Sequence, residues 1–171
     1  MLPWIFLGSA AALSIERLCY IWIWRNPDAF QEVCGRDPVA AVRWLFYAFK
    51  IIQAAVFLAW CYVMGNGSLW PPAADPAIVV LGAALIATGQ WLNASVFYRL
   101  GGEGVFYGNR FGHEIAWCRD FPFSCVDDPQ YFGAVLSIWG FFLLMRFPHD
   151  DWYLLPALET IYYAAGARFE R

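Results

Sequence analysis

Three stretches of this chain, at about 2–24, 41–64 and 77–98, are apolar for long enough to cross a bilayer. A hydrocarbon core about 30 Å thick is spanned by roughly 20 helical residues. A lipid-exposed backbone must satisfy its own polar groups, so such runs become helices unless they close into a barrel. Two shorter runs follow, "QYFGAVLSIWGFFLLM" and "WYLLPALETIYYAAGA", separated by "RFPHDD". They predict helices over 130–146 and 152–168 that form a short hairpin, tilted or partly embedded. Pro148 ends the first, and Pro156 falls in the first turns of the second, where a missing N–H costs least. The expected fold is an all-α integral membrane protein of about four to five transmembrane helices. It forms one membrane domain over 1–171, with a Gly-rich interfacial segment at 99–129.

Composition supports this reading. With 61% hydrophobic residues, 20% aromatic and 15% charged, the chain is too apolar for an ordinary soluble domain. A net charge of -3 provides no basic stripe for nucleic acid, so we expect no nucleic-acid partner. Five cysteines without a CxxC indicate neither a disulfide framework nor zinc. The opening "MLPWIFLGSAAALSIERLCYIWIW" lacks a basic leader, and Glu16 and Arg17 interrupt any signal-peptide core, so it reads as a retained first span. Basic residues gather at Arg25, Arg36 and Arg43, at Arg99, Arg110 and Arg119, and at Arg168 and Arg171, while "GNGSLWPPAADP" has none. With five spans these basic segments share one side. Arg146 dissents, and is expected to snorkel to the interface.

The stretch "RLGGEGVFYGNRFGHEIAWCRDFPF" separates the third run from the fourth. Long loops without structure are uncommon unless functional or disordered. Disorder would not use Val105, Phe106, Tyr107, Phe111, Ile115, Trp117, Phe121 and Phe123. Gly101, Gly104, Gly108 and Gly112 recur every three or four residues, which on a helix would leave one face as bare backbone for close approach. The stretch is expected to floor a pocket at the bilayer surface. Downstream, "FPFSCVDDPQYFG" places Asp127 or Asp128 as an N-cap and Pro129 near a helix start. Capping and anion binding are both compatible with that geometry.

The run "RLGGEGVFYGNRFG", then "FPFSCVDDPQYFG", then an acidic residue after a final apolar helix resembles the phospholipid N-methyltransferases, which methylate phosphatidylethanolamine or its monomethyl derivative. These are related to the isoprenylcysteine methyltransferases, which share a Pro-x-Tyr-x-Gly element. The resemblance implies S-adenosylmethionine as cofactor, held by Gly101, Gly104, Gly108, Gly112, Pro129, Tyr131, Gly133 and Glu170, and a phospholipid substrate on the route to phosphatidylcholine. It implies the endoplasmic reticulum as location, with the mitochondrial inner membrane as the alternative. The chain departs from the family pattern in carrying Asp128 before Pro129, and Glu170–Arg171 where many relatives have two adjacent acids. These departures keep a second reading open: a methyltransferase-like subunit that packs against other membrane proteins and holds lipid without activity.

Methyl transfer to an amine first requires loss of a proton from an ammonium whose pKa resembles that of lysine, about 10. A positioned carboxylate or histidine can take it. The candidates are His113 and Glu114 in the polar stretch and Glu159 in the last apolar helix; an acid inside a span is a functional hypothesis by default. Each has an ordinary alternative. Glu159 would pair with Arg17 or a tyrosine, His113 with Glu114 at the interface, and Glu16 would accompany Arg17 to the interface. "HEIAW" lacks the second His of HExxH, so no metal is expected. Tyr131, Trp139, Tyr162 and Tyr163 could line a site for a methylated ammonium.

Overall fold

The structure is a computed structural model that describes residues 3–72, 75–116 and 118–170; Trp117 and Arg171 lie outside them. All regular structure among the described residues is helical: α1 (Pro3–Arg25), α2 (Pro27–Cys34), α3 (Pro38–Met64), α4 (Pro76–Val105), a 3-10 turn (Gly108–Phe111), α5 (Pro129–Met145) and α6 (Leu154–Phe169). Helices α1 to α5 each begin on a proline, whose absent N–H is one the first turn leaves unbonded anyway. Asp37 and Asp75 accept from Ala40 N and Ala77 N, at 2.8 Å each, to cap α3 and α4. Asp128 occupies the same position on α5, but its side chain makes no capping bond there.

Helices α1, α3 and α4 are long and apolar enough to cross a membrane. Their outward faces are apolar, with Leu7, Ile15, Leu18, Ile51, Leu58 and Val80 exposed, as lipid rather than water requires. The expected break at 98 falls later, because α4 continues to Val105 through non-helical backbone at Gly101, whose φ of 64° favours glycine. The short amphipathic α2 lies inside what reads as a plain connection. It buries Phe30 against Phe111 of the 3-10 turn, with ring centroids 5.9 Å apart. Arg110 Nη2 donates to Trp24 O at 2.8 Å, and Arg25 lies 5.0 Å from the Phe169 ring. The three basic segments therefore meet at one end of the bundle.

Packing runs from α4 to α5, α5 to α6, α6 to α1 and α1 to α3. The α4–α5 contact is backbone on backbone. Gly82 and Gly89 face Gly140 and Gly133 across it: a Cβ on Gly140 would lie 2.5 Å from Gly82 O, and one on Gly133 would lie 2.6 Å from Gly89 O. Small residues at such positions let membrane helices approach closely.

Two apolar clusters form the core. Tyr20, Ile23, Val42, Val96 and Phe106 pack at the basic end, and Leu13, Phe57, Trp60, Ile138, Phe142 and Leu155 at the other. Between them α1 and α3 turn four ionic or polar residues inward: Glu16, Arg17, Lys50 and Gln53. Arg146 does not snorkel. It is buried, donates to both Asp151 oxygens at 2.8 and 2.7 Å and to Met64 O at 3.0 Å, and so stitches the α5–α6 turn to the end of α3. Burial alone would raise the Asp151 carboxyl, but the hydrogen bonds and charge of Arg146, together with the hydrogen bond from Trp60, outweigh it and hold the group below its ordinary value.

Two outcomes follow. Gly89→Leu and Gly133→Leu should each cost about 1–3 kcal/mol by overpacking, seen as a lowered thermal midpoint in detergent. Gly8→Leu, where no atom lies within 4 Å of a Cβ, should leave it unchanged. Because Asp151 titrates lower when folded than unfolded, its stabilisation is complete above about pH 4 and is lost as pH falls through the folded value. Asp151→Asn should remove that acid dependence and destabilise by about 3 kcal/mol, since Arg146 stays buried without its charge partner.

Candidate active site

Two cavities adjoin at the basic half of the bundle. The inner one, about 360 Å³, is walled by α1 (Glu16, Arg17, Tyr20), α3 (Val42, Phe46, Lys50, Gln53), α4 (Gln90, Asn93, Phe97) and the start of α5. The outer one, about 520 Å³, lies between the polar stretch and the end of α6, against Leu100, Gly104, Asn109, Ile115, Asp127, Asp128, Pro129, Ala167 and Glu170. Val105, Tyr107, Gln130 and Tyr131 line both. Among the described residues five buried side-chain atoms have no hydrogen-bond partner: Arg17 Nε and Nη1, Tyr20 OH, Asn93 Oδ1 and Glu170 Oε1. Four lie on residues that wall the inner cavity, and the fifth on one that walls the outer. Buried polar atoms are rarely left unsatisfied without a reason, and a site for a polar ligand is such a reason.

In the inner cavity Arg17 Nη2 donates to Glu16 Oε1 at 2.7 Å, and Lys50 Nζ lies 3.0 Å from the same oxygen. Lys50 also donates to Gln53 Oε1 at 2.9 Å and to the Tyr163 hydroxyl at 3.0 Å. The Arg17 guanidinium lies 3.9 Å from the centre of the Tyr163 ring. Gly166 makes room here: a Cβ on it would touch both Tyr131 and Arg17, at 3.6 and 3.8 Å. At the boundary between cavities, the Tyr131 hydroxyl donates to Glu170 Oε2 at 2.5 Å. Burial raises the Glu170 carboxyl above its ordinary value, with the Tyr131 hydrogen bond opposing the shift.

Of the cofactor residues expected from the sequence, Gly104, Pro129, Tyr131 and Glu170 come together on the outer cavity. Gly104 is packed on its Cβ side against Leu100 Cβ at 2.6 Å and Ile115 Cγ2 at 3.3 Å. The other glycines are placed differently. Gly101 breaks α4 with no atom near its Cβ position, Gly108 is packed under Glu103 O, and Gly112 ends the 3-10 turn with φ of 85°. Gly133 belongs to the seam with α4. The three expected bases are also dispersed. His113 is exposed and pairs with Glu103 at 3.3 Å, rather than with Glu114, which is exposed as well. Glu159 is buried and accepts from Gln53 Nε2 at 2.9 Å, one residue behind the inner cavity.

Tyr131 and Tyr163 line the inner cavity. Trp139 instead donates to Thr160 Oγ1 at 3.0 Å, and the Tyr162 hydroxyl to Ala10 O at 3.1 Å. Glu16 and Arg17 are both buried rather than carried to an interface. Lys50 and Gln53 were missed. Their signal was available, since a lysine and a glutamine three residues apart inside an apolar span face the same side of the helix. Among the described residues no cluster of His, Cys, Asp and Glu is placed to hold a metal.

Residues 77–171, from α4 to the end of the chain, match the family described as phospholipid methyltransferase. A phosphatidyl-N-methylethanolamine N-methyltransferase of Arabidopsis thaliana is 35% identical over 121 residues, covering 70% of this chain and 67% of the relative. Phosphatidylethanolamine N-methyltransferases of Rattus norvegicus and Homo sapiens are 35% and 33% identical over 54% and 56% of this chain. The matched regions span about half the length of these mammalian relatives, 46% and 47%. No solved structure matches. The chain belongs to the phospholipid methyltransferase family.

Proposed function

We propose that this protein transfers a methyl group from S-adenosylmethionine to the amino headgroup of phosphatidylethanolamine or its methylated derivatives, towards phosphatidylcholine. The reading rests above all on the two adjoining cavities, one at the basic end and one within the bundle, which share a wall at Tyr107, Gln130 and Tyr131. A water-soluble donor and a lipid headgroup can each occupy one and meet at that wall.

The residues of the outer cavity suit the donor. Its volume of about 520 Å³ lies within the roughly 300–1,000 Å³ usual for small-molecule sites. Glu170 Oε1 is an acceptor without a donor, matched to the hydroxyls and ammonium of S-adenosylmethionine. Gly104, Pro129 and Tyr131 complete that wall. When bound, the donor supplies an electrophilic methyl carbon on a sulfonium.

The chain's own contribution is to hold the amine in line with that carbon and to keep it unprotonated. Alignment can be worth several powers of ten in rate. The low dielectric of the inner cavity disfavours an ammonium, lowering the amine's pKa. Proton removal falls to the carboxylates nearest that cavity, Glu16 on its wall and Glu159 behind Gln53. His113 and Glu114 lie off both cavities and do not suit the task.

The test is incubation of purified protein with methyl-labelled S-adenosylmethionine and vesicles containing phosphatidylethanolamine or its monomethyl derivative, with the Arabidopsis relative as control. Label should enter lipid. None entering, where the relative succeeds, overturns the reading, and stoichiometric membrane partners with no donor affinity would favour a non-catalytic, lipid-holding subunit. Glu170→Gln should weaken donor binding about tenfold or more, the size of a lost charged hydrogen bond. Because the Glu170 carboxyl titrates above its ordinary value, donor affinity should already decline at a pH where an ordinary carboxylate remains ionised. Glu170→Gln should abolish that decline in equilibrium binding.

A further inference from the structure

We propose that Arg17 and Lys50 form the subsite for the phosphodiester of the lipid substrate, and that the headgroup reaches it sideways between α3 and α4. The idea rests on the phospholipid reading above and deepens it. Both residues lie outside 77–171, the part of the chain that matches the family, so nothing in that match assigns them.

Charge is the first argument. Arg17 and Lys50 share one carboxylate on the cavity wall, Glu16, which leaves the wall with one cation in excess. Glu159 accepts from Gln53 and is off the wall. Arg17 is 5% exposed, yet Nε and Nη1 have no acceptor, and Tyr20 OH on the next turn of α1 is unpartnered too. A buried guanidinium with idle donors is costly unless an anion completes it. The Lys50 side chain, 31% exposed, is the accessible member of the pair. Arginine and lysine are the side chains that recognise phosphate, through charged hydrogen bonds.

Access is the second. Consecutive α3 and α4 are absent from the closely packed helix pairs. They meet at the basic end through Phe46 and Phe97, with ring centroids 6.4 Å apart, while both line the inner cavity further in. A seam of this kind lets a lipid enter without leaving the bilayer. Position is the third. Arg17 lies eight residues before the end of α1 at Arg25, about 12 Å at 1.5 Å per residue. It is also 5.5 Å from the Tyr131 ring, which lines both cavities. A phosphodiester seated there leaves its short aminoethyl arm free to point towards the outer cavity.

The experiment uses the full chain in phosphate-free maltoside micelles without methyl donor. It compares binding of fluorescent phosphatidylethanolamine with that of a diacylglycerol aminoethyl ether, which keeps the amine and tails but lacks phosphate. The wild type should prefer the phospholipid about tenfold or more. Lys50→Met should erase the preference, Lys50→Arg should retain most of it, and donor affinity should be unchanged in both. Equal binding of the two lipids by the wild type overturns the proposal, and that comparison decides even where a variant does not fold. A folded Lys50→Met that keeps the preference overturns it as well. So does loss of donor affinity in Lys50→Met, which would make the donor's own carboxylate the occupant. Since binding is read without donor, failure of methyl transfer and failure of this subsite are separate results.

Discussion

A guanidinium inside a bundle of apolar helices is the demand that organises this protein. An isolated buried ion costs several kcal/mol even after the surroundings relax. Arg17 is therefore met by Glu16 at 2.7 Å and by the face of Tyr163, with Lys50 and Gln53 extending the network to α3 and Glu159 to α6. Those groups cannot interdigitate as leucines do. They divide the core into two apolar clusters, and the inner cavity opens at the layer between them.

Against that open layer stands the seam between α4 and α5, where four glycines bring two backbones into contact. Closure on this side and looseness between α3 and α4 give the bundle an asymmetric cross-section. The tight side fixes Pro129 and Tyr131 relative to the end of α4, so the outer cavity has a firm wall. The proposed transfer from a soluble donor to a membrane-bound amine would use both, the tight side as a rigid frame for alignment and the looser side as a route that does not expose lipid tails to water.

The candidate site was legible only in part, for geometric reasons. Glycines at 101, 104, 108 and 112 share one face only if a single helix runs through them. The backbone breaks at Gly101, and α4 ends at Val105 before the 3-10 turn begins, so of the four Gly104 alone lines either of the two cavities. Glu159 was visible as an acid within a span, but its Gln53 partner lies more than a hundred residues away. Arg146 reads locally as an interfacial cation; its Asp151 and Met64 partners show why it is buried instead.

Local sequence determined the helices themselves. Apolar length set the spans, and Asp-Pro pairs marked the starts of α3, α4 and α5 through backbone chemistry that needs no distant partner. Tertiary structure alone decided which faces meet, which of several glycines line a wall, and how charges from three helices combine into one network. Those outcomes depend on contacts between residues far apart in the chain. No periodicity along a single helix records the face that its neighbour will present.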